Sequence, residues 1–414
     1  DPLNRSRAGK RIAYFKPVPK VNIYVLDIKG LVKMEPNHMV IDHVNFSFNN
    51  VPVSLHGNMH LSEKITFDLM AKATPSLARN RKFRKFESAN FDATGSIYNR
   101  SIQTEGELSV QLNKPLVDKF PLESAQLKFK NLFTNFEQFP KVSMKLDSLN
   151  MVYQTTTDEH MLDMQNIITI IDFQEEDVAY LDTYIPFYGG DIQINTEAGG
   201  KGFASQTRTT IKVEDVNTLR LKDFLQQYAD NYGLLSADFY IETDLFTVVE
   251  GSVQSVNGEL QDSQLNEWLV DYFGLPQFKS MPFKKISAMV DYNKGNLSVN
   301  EIALNANGFD VEGLMHISDD NLVDSKFSLK FARSTMARSA YFQKIVKDLE
   351  PDMDPLQFDF QISGSPESPN IEWKDSKLKQ IIQDKIPNFI ERKIERAVEG
   401  AMSEQSATEE PAEK

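Results

Sequence analysis

Cysteine is absent from all 414 residues. Disulfides, thiolate metal sites and cysteine nucleophiles are therefore excluded. The absence suits an oxidising compartment, where a stray thiol is a hazard. Tryptophan is nearly absent, at 2 residues, and there are only 6 histidines. No stretch approaches the ~20 apolar residues that a membrane-crossing helix needs. Basic charge is outweighed: 45 Lys and Arg stand against 59 Asp and Glu, a net charge of −14. Nucleic-acid binding rests on neutralising phosphates, so nucleic acid is not an expected partner. No Ser/His/Asp arrangement can be argued, and no histidine sits in a catalytic signature. The expectation is a protein that is not an enzyme and uses no cofactor.

What the chain does contain is folded-protein material: 41% hydrophobic and 25% charged residues, with 28 Phe. Those values are too apolar for a disordered chain. The length suits two or three domains, or one elongated one.

Apolar residues recur at every second position, the strand period. Val21, Ile23 and Val25 alternate, as do Val44, Phe46 and Phe48. Val51, Val53, Leu55, Gly57, Met59 and Leu61 form the clearest early run, followed by Ile65, Phe67, Leu69, Ala71 and Ala73. The idiom returns in Leu235, Ala237, Phe239 and Ile241, in Phe309, Val311, Gly313, Met315 and Ile317, and in Leu356, Phe358, Phe360 and Ile362. Turn residues such as Asn49-Asn50 and Tyr98-Asn99 separate the runs, which makes consecutive strands antiparallel neighbours. Leu297 and Val299 change phase to Ile302 and Leu304, the signature of a bulge.

Helical periodicity is rare. It is expected over Leu219–Tyr228, over Asp262–Phe273 with Asp262 or Ser263 as cap, over Arg333–Leu349, and over Ser376–Met402 with a break or kink at Pro387. About 15 to 20 strands against four helices exclude a doubly wound α/β enzyme. Each strand then has one apolar and one polar face. The apolar face is covered either by a second sheet or by a hydrocarbon ligand, and periodicity alone leaves both open.

Four phrases, read in order, add a resemblance: FYGGDIQI from Phe187, IKVEDVNTLRLKDFL from Ile211, GLLSADFYIETD from Gly233 and VNGELQDSQL from Val256. Together they resemble the conserved C-terminal region of the AsmA family, the AsmA/TamB-like bacterial envelope proteins. The resemblance covers roughly Ile167 to Lys374; the first 150 residues match in style only. It implies a mostly β fold: an elongated, curled, largely antiparallel sheet with a groove, a few short helices and a C-terminal amphipathic helix. It implies binding or conduction of phospholipid acyl chains between inner and outer membrane, in support of outer-membrane homeostasis. It also implies a periplasmic location and an N-terminal inner-membrane anchor, here expected to precede Asp1. A scaffold for outer-membrane assembly or a larger envelope complex, acting through protein contacts without lipid transport, is the alternative.

On this reading the chain divides into a linker over 1–20, an N-terminal β-groove segment over 21–155 and the AsmA-like β-groove region over 156–374. A capping amphipathic helix over 375–402 and a disordered acidic tail over 403–414 complete it. The residues expected to contact acyl chains are Phe46, Phe48, Val53, Leu55, Met59, Phe67, Ile192, Ile194, Phe239, Ile241, Phe309, Val311, Met315, Phe358 and Phe360. A basic cluster with Arg81, Lys82, Phe83 and Lys85 reads either as a contact to anionic head groups, with Phe83 in the interface, or as a solvated loop. The terminal helix caps the sheet, lies on a membrane or binds a partner. Its mixed charge argues against a dedicated anionic-membrane helix.

Metal binding is not expected. His56 and His60 share the polar phase of one strand but stand ~13 Å apart, and His38, His43, His160 and His316 are scattered. Glu175-Glu176-Asp177 lacks the glycine-containing oxygen pattern of a calcium loop. Gly199-Gly200-Lys201-Gly202 has neither phosphate-loop nor dinucleotide spacing.

Overall fold

The structure, a computed structural model, describes residues 25–48, 51–75, 86–112, 122–155, 159–175, 178–199, 206–221, 232–243, 247–261, 264–347, 349, 353–365, 368–374 and 376–385. The segments expected as N-terminal linker, acidic tail and Arg81–Lys85 cluster lie outside these residues, as does the part of the terminal helix from residue 386 on.

Alternating patterns become strands. They are β1 Val25–Glu35, β2 His38–Phe48, β3 Val51–His60, β4 Ile65–Ala73, β5 Phe86–Tyr98, β6 Ser101–Leu112, β7 Leu122–Asn135, β8 Lys141–Thr155, β9 Glu159–Glu175 and β10 Val178–Phe187. There follow β11 Gly190–Gly199, β12 Gln206–Asn217, β13 Tyr232–Thr243 and β14 Thr247–Gln261. The last are β15 Ser280–Asn293, β16 Asn296–Ala306, β17 Phe309–Ile317, β18 Val323–Phe331, β19 Leu356–Ser365 and β20 Ser368–Trp373. The α-helices are α1 Gln264–Phe273, α2 Arg333–Met336, α3 Gln343–Lys347 and α4 Lys377–Lys385. The protein is mostly β, an antiparallel sheet that is not closed into a barrel, with few short helices, as the sequence predicts.

The chain forms two compact units. The first holds residues 1–187, 193–210 and 242–244; the second holds 188–192, 211–241 and 245–414. In the first, each strand from β1 to β10 pairs antiparallel with the next. In the second, β14 to β20 do the same. Tight hairpins make this order. Asn99 and Arg100 both have positive φ, 44° and 57°, between β5 and β6. Two such residues give a turn whose twist matches that of the flanking strands.

Left-handed residues also sit inside strands where the register runs on unshifted. Asn131 in β7 and Asn166 in β9 adopt positive φ, 51° and 55°. The register sets Asn131 opposite Asp147 of β8, and Asp147 opposite Asn166. The three strands change apolar phase at this line: Phe129 to Leu132, Leu146 to Leu149, and Met164 to Ile167. Asn tolerates the left-handed conformation, and Asn131 Nδ2 donates to Asp147 Oδ2 at 3.2 Å. The bulge expected between Val299 and Ile302 is present, with Glu301 at φ 52°.

The second unit has a closed core at one end of its strands. Leu269, Tyr272 and Phe273 of α1, Phe278, Met336 of α2, Phe342 and Ile345 of α3 pack over Phe309, Val311, Leu329, Phe331, Leu356 and Phe358. Leu378 and Ile382 of α4 join the same cluster. The described part of the terminal helix therefore packs into this core, and Ser376 Oγ caps it by accepting the Lys379 N–H at 3.0 Å.

Two helix expectations change. Arg333–Leu349 is not continuous. Ser339 Oγ accepts the N–H groups of Tyr341 and Phe342 and donates to the Phe273 carbonyl at 2.5 Å, so a new cap starts α3 in mid-pattern. At Leu219–Tyr228 the described residues give a single 3-10 turn, Thr218–Leu221; residues 222–228 lie outside the description.

Candidate apolar ligand face

Register builds the apolar face of the first unit. Gly30 of β1 stands opposite Val44, Val44 opposite Leu55, and Leu55 opposite Ala71. The row continues through Phe91, Leu108, Leu127, Met151 and Leu162. It crosses nine strands, and at ~4.8 Å per strand it runs for about 38 Å. A parallel row joins Met39, Met59, Phe67 and Gly95, where the Phe67 ring occupies the space that a side chain at Gly95 would need.

Within the first unit no described helix is available to cover these rows. Every described helix belongs to the second unit. Leu55, Phe67, Ala71, Leu108, Leu127, Phe129 and Met151 are half-buried, and Phe91 is 38% exposed. Phe91 and Phe129 stack across β6 with centroids 6.2 Å apart. A few positions are more sheltered: Ala93, Leu162 and Tyr153 are buried, and burial raises the Tyr153 phenol above its ordinary pKa.

The opposite face is polar. Met70, Asp92, Glu107, Lys128 and Asn150 form its row. Glu107 accepts from the Gln126 amide and lies 3.7 Å from Lys128 Nζ. A recess of about 710 Å³ is lined mainly by residues of this polar phase, including His56, Asn90, Asp92 and Lys128. None of the residues expected to contact acyl chains lines it, although Ala71, Phe91 and Phe129 of the apolar face also border it.

The expected contact residues separate into two environments. In the first unit Phe46, Val53, Leu55, Met59 and Phe67 are half-buried, and Phe48 is exposed. Ile194 of the first unit, and Ile192, Phe239 and Ile241 of the second, are half-buried as well. Met315 of the second unit is half-buried in the row Val299, Met315, Ser325, Ile362. Phe309, Val311, Phe358 and Phe360 belong instead to the closed core, with Phe309 and Phe358 at 0% exposure. Phe278 packs on Phe309, and Phe273 of α1 and Phe342 beside α3 pack on Phe358, while Trp373 of β20 stacks on Phe360. The period of two marks a buried face in both units; only the packing of α1 to α4 distinguishes a face covered by protein from one that is not.

Sequence reading also missed a neighbour. His38 stands directly opposite His60 across β2 and β3. The Leu61 N–H donates to the Asn37 carbonyl at 2.8 Å, which makes His38–His60 a close, non-hydrogen-bonded pair. A loop separates the two strands in the chain, and spacing along one strand does not reveal such pairs. No group of three potential metal ligands is assembled among the described residues.

In the second unit a polar knot ties strand ends together. Glu259 accepts from Ser280 Oγ, from Tyr232 OH at 2.5 Å and from Gln261 Nε2 at 2.6 Å. The Ser280, Tyr232 and Gln261 bonds hold the Glu259 carboxyl below the ordinary range, and the Glu259 bond raises the Tyr232 phenol.

No family model, curated protein or solved structure matches the chain. The likeness to the AsmA family therefore rests on its four phrases. In the structure the described residues of these phrases fall on the β10–β11 hairpin, on β12 and the turn after it, on β13, and on the end of β14 and the start of α1.

Proposed function

We propose that this is a non-enzymatic envelope protein whose first unit binds or conducts phospholipid acyl chains on its apolar sheet face. The observation that carries the reading is the nine-strand apolar row, over which the first unit has no described helix and most of whose side chains are half-buried or exposed. Its length of about 38 Å exceeds the ~30 Å hydrocarbon thickness of a bilayer. An acyl chain gains ~0.8 kcal/mol for each buried CH2, before ordering costs. A site of that kind needs no polar anchor. The AsmA resemblance supports a periplasmic setting between inner and outer membrane, with an inner-membrane anchor. The basic cluster at Arg81, Lys82, Phe83 and Lys85 supplies the expected head-group contact.

The test is mass spectrometry of lipids retained through a native purification. Wild type is expected to retain phospholipid. Leu108→Asp with Leu127→Asp is expected to lose it while circular dichroism stays unchanged, because both positions are already half-exposed. A lipid-free wild type would overturn the proposal, as would a double variant that keeps its lipid. In either case the protein-scaffold alternative takes its place.

A further inference from the structure

The most exposed apolar segment of the described chain is its first strand. All eleven residues of β1 are exposed. Val25, Leu26, Ile28, Leu31, Val32 and Met34 are among the exposed large hydrophobics, with Ile28 at 66% and Met34 at 65%. Among the described pairings β1 has one neighbour, β2. Among the described residues nothing pairs with its outer edge, which runs beside exposed apolar side chains. Proteins ordinarily blunt such an edge with proline, with a dominant charge or with a covering element. The β1 sequence VLDIKGLVKME has no proline, and its two acidic and two basic residues cancel; its own bulge, at Asp27, lies near its start and leaves Lys29–Glu35 without an inserted residue.

From this edge we infer that β1 pairs antiparallel with β1 of a second copy of the chain, forming a two-fold symmetric dimer. Charge selects the register. Pairing about Val32 sets Lys29 opposite the partner's Glu35, twice by symmetry. It also sets Gly30 opposite the partner's Met34, and Val32 opposite the partner's Val32. Sliding to Leu31 at the axis brings Lys29 against the partner's Lys33 twice, and like charges directly opposite are destabilising. Sliding to Gly30 recruits Asp27, whose φ of 57° bulges it out of a regular ladder.

The register with β2 sets Gly30, Val32 and Met34 on the side of Val44, Ile41 and Met39. That is the apolar side. A two-fold axis normal to the sheet keeps the apolar sides of both copies together. The dimer thus makes one continuous face from two. It rests on the strand edge and stands whether or not lipid binds that face.

The cysteine-free sequence gives a direct test on the whole chain. Val32→Cys places two thiols across the axis in one cross-strand pair, within disulfide reach. Oxidation is expected to yield covalent dimer. Leu31→Cys, which this register sets against the partner's Lys33, is expected to cross-link far more slowly. Sedimentation at about 100 µM chain is expected to show dimer for wild type. Lys29→Glu alone is expected to weaken the dimer about tenfold, and Lys29→Glu with Glu35→Lys is expected to restore it. A monomeric wild type would overturn the inference, as would equal cross-linking at positions 31 and 32, or a charge swap that fails to rescue. Lipid retention measured on the same samples reads out the first unit's face separately.

Discussion

Phe358 gives the sharpest test of the division between covered and uncovered apolar face. It was expected to touch ligand, yet it is 0% exposed and ringed by aromatics. Phe273 and Phe331 meet it edge-on at 5.1 Å and 5.8 Å, Phe342 at 6.1 Å, and Trp373 stacks on it at 5.8 Å. Phe358→Ala removes a ring from the centre of a packed cluster, and collapse is opposed by strand β19 on one side and α1 on the other. Truncations of this kind cost ~3–5 kcal/mol, a large share of the ~5–15 kcal/mol that holds a domain together. With a urea slope of ~2 kcal/mol per M, a loss of ~4 kcal/mol lowers the midpoint by about 2 M. Both tryptophans, Trp268 and Trp373, lie in the second unit, so intrinsic fluorescence reports its unfolding. A midpoint shift below ~0.5 M, together with loss of bound lipid, would refute the reasoning and return Phe358 to the ligand face.

Three further outcomes follow from single contacts. The depressed folded-state pKa of Glu259 means that its stabilisation is complete above the ordinary carboxylate range and fades as pH falls through the folded value. The melting-temperature gap between wild type and Glu259→Gln should therefore be widest near neutrality and close below pH ~4. At Gly258 a side chain would meet the Tyr232 carbonyl and the Phe283 ring; Gly258→Val should lower second-unit stability by ~1–3 kcal/mol in urea unfolding, the range for overpacking. Arg333 donates to the carbonyls of Val346 at 2.8 Å and Leu349 at 2.7 Å. Arg333→Met strands both acceptors and should cost ~1–3 kcal/mol in the same assay.

Much of this architecture was legible along the chain. Alternation at every second residue is enforced by the pleat itself, so strands such as Ile65–Ala73 and Leu356–Ser365 announce themselves. The phase change from Val299 to Ile302 announced its bulge, because one extra residue must invert the faces. The break inside Arg333–Leu349 was not legible. It depends on Ser339 reaching the Phe273 carbonyl, a partner 66 residues away. His38 and His60 likewise became neighbours only through strand register.

The sequence by itself determined that this protein is a mostly antiparallel sheet with one apolar and one polar side, since the period of two is a local property of extended backbone. Tertiary structure alone decided what lies on the apolar side. Phe67 and Phe358 obey the same alternation. Helical residues pack on Phe358, whereas the first unit has no described helix to pack on Phe67. That difference is set by where distant segments of the chain dock, which no local period encodes.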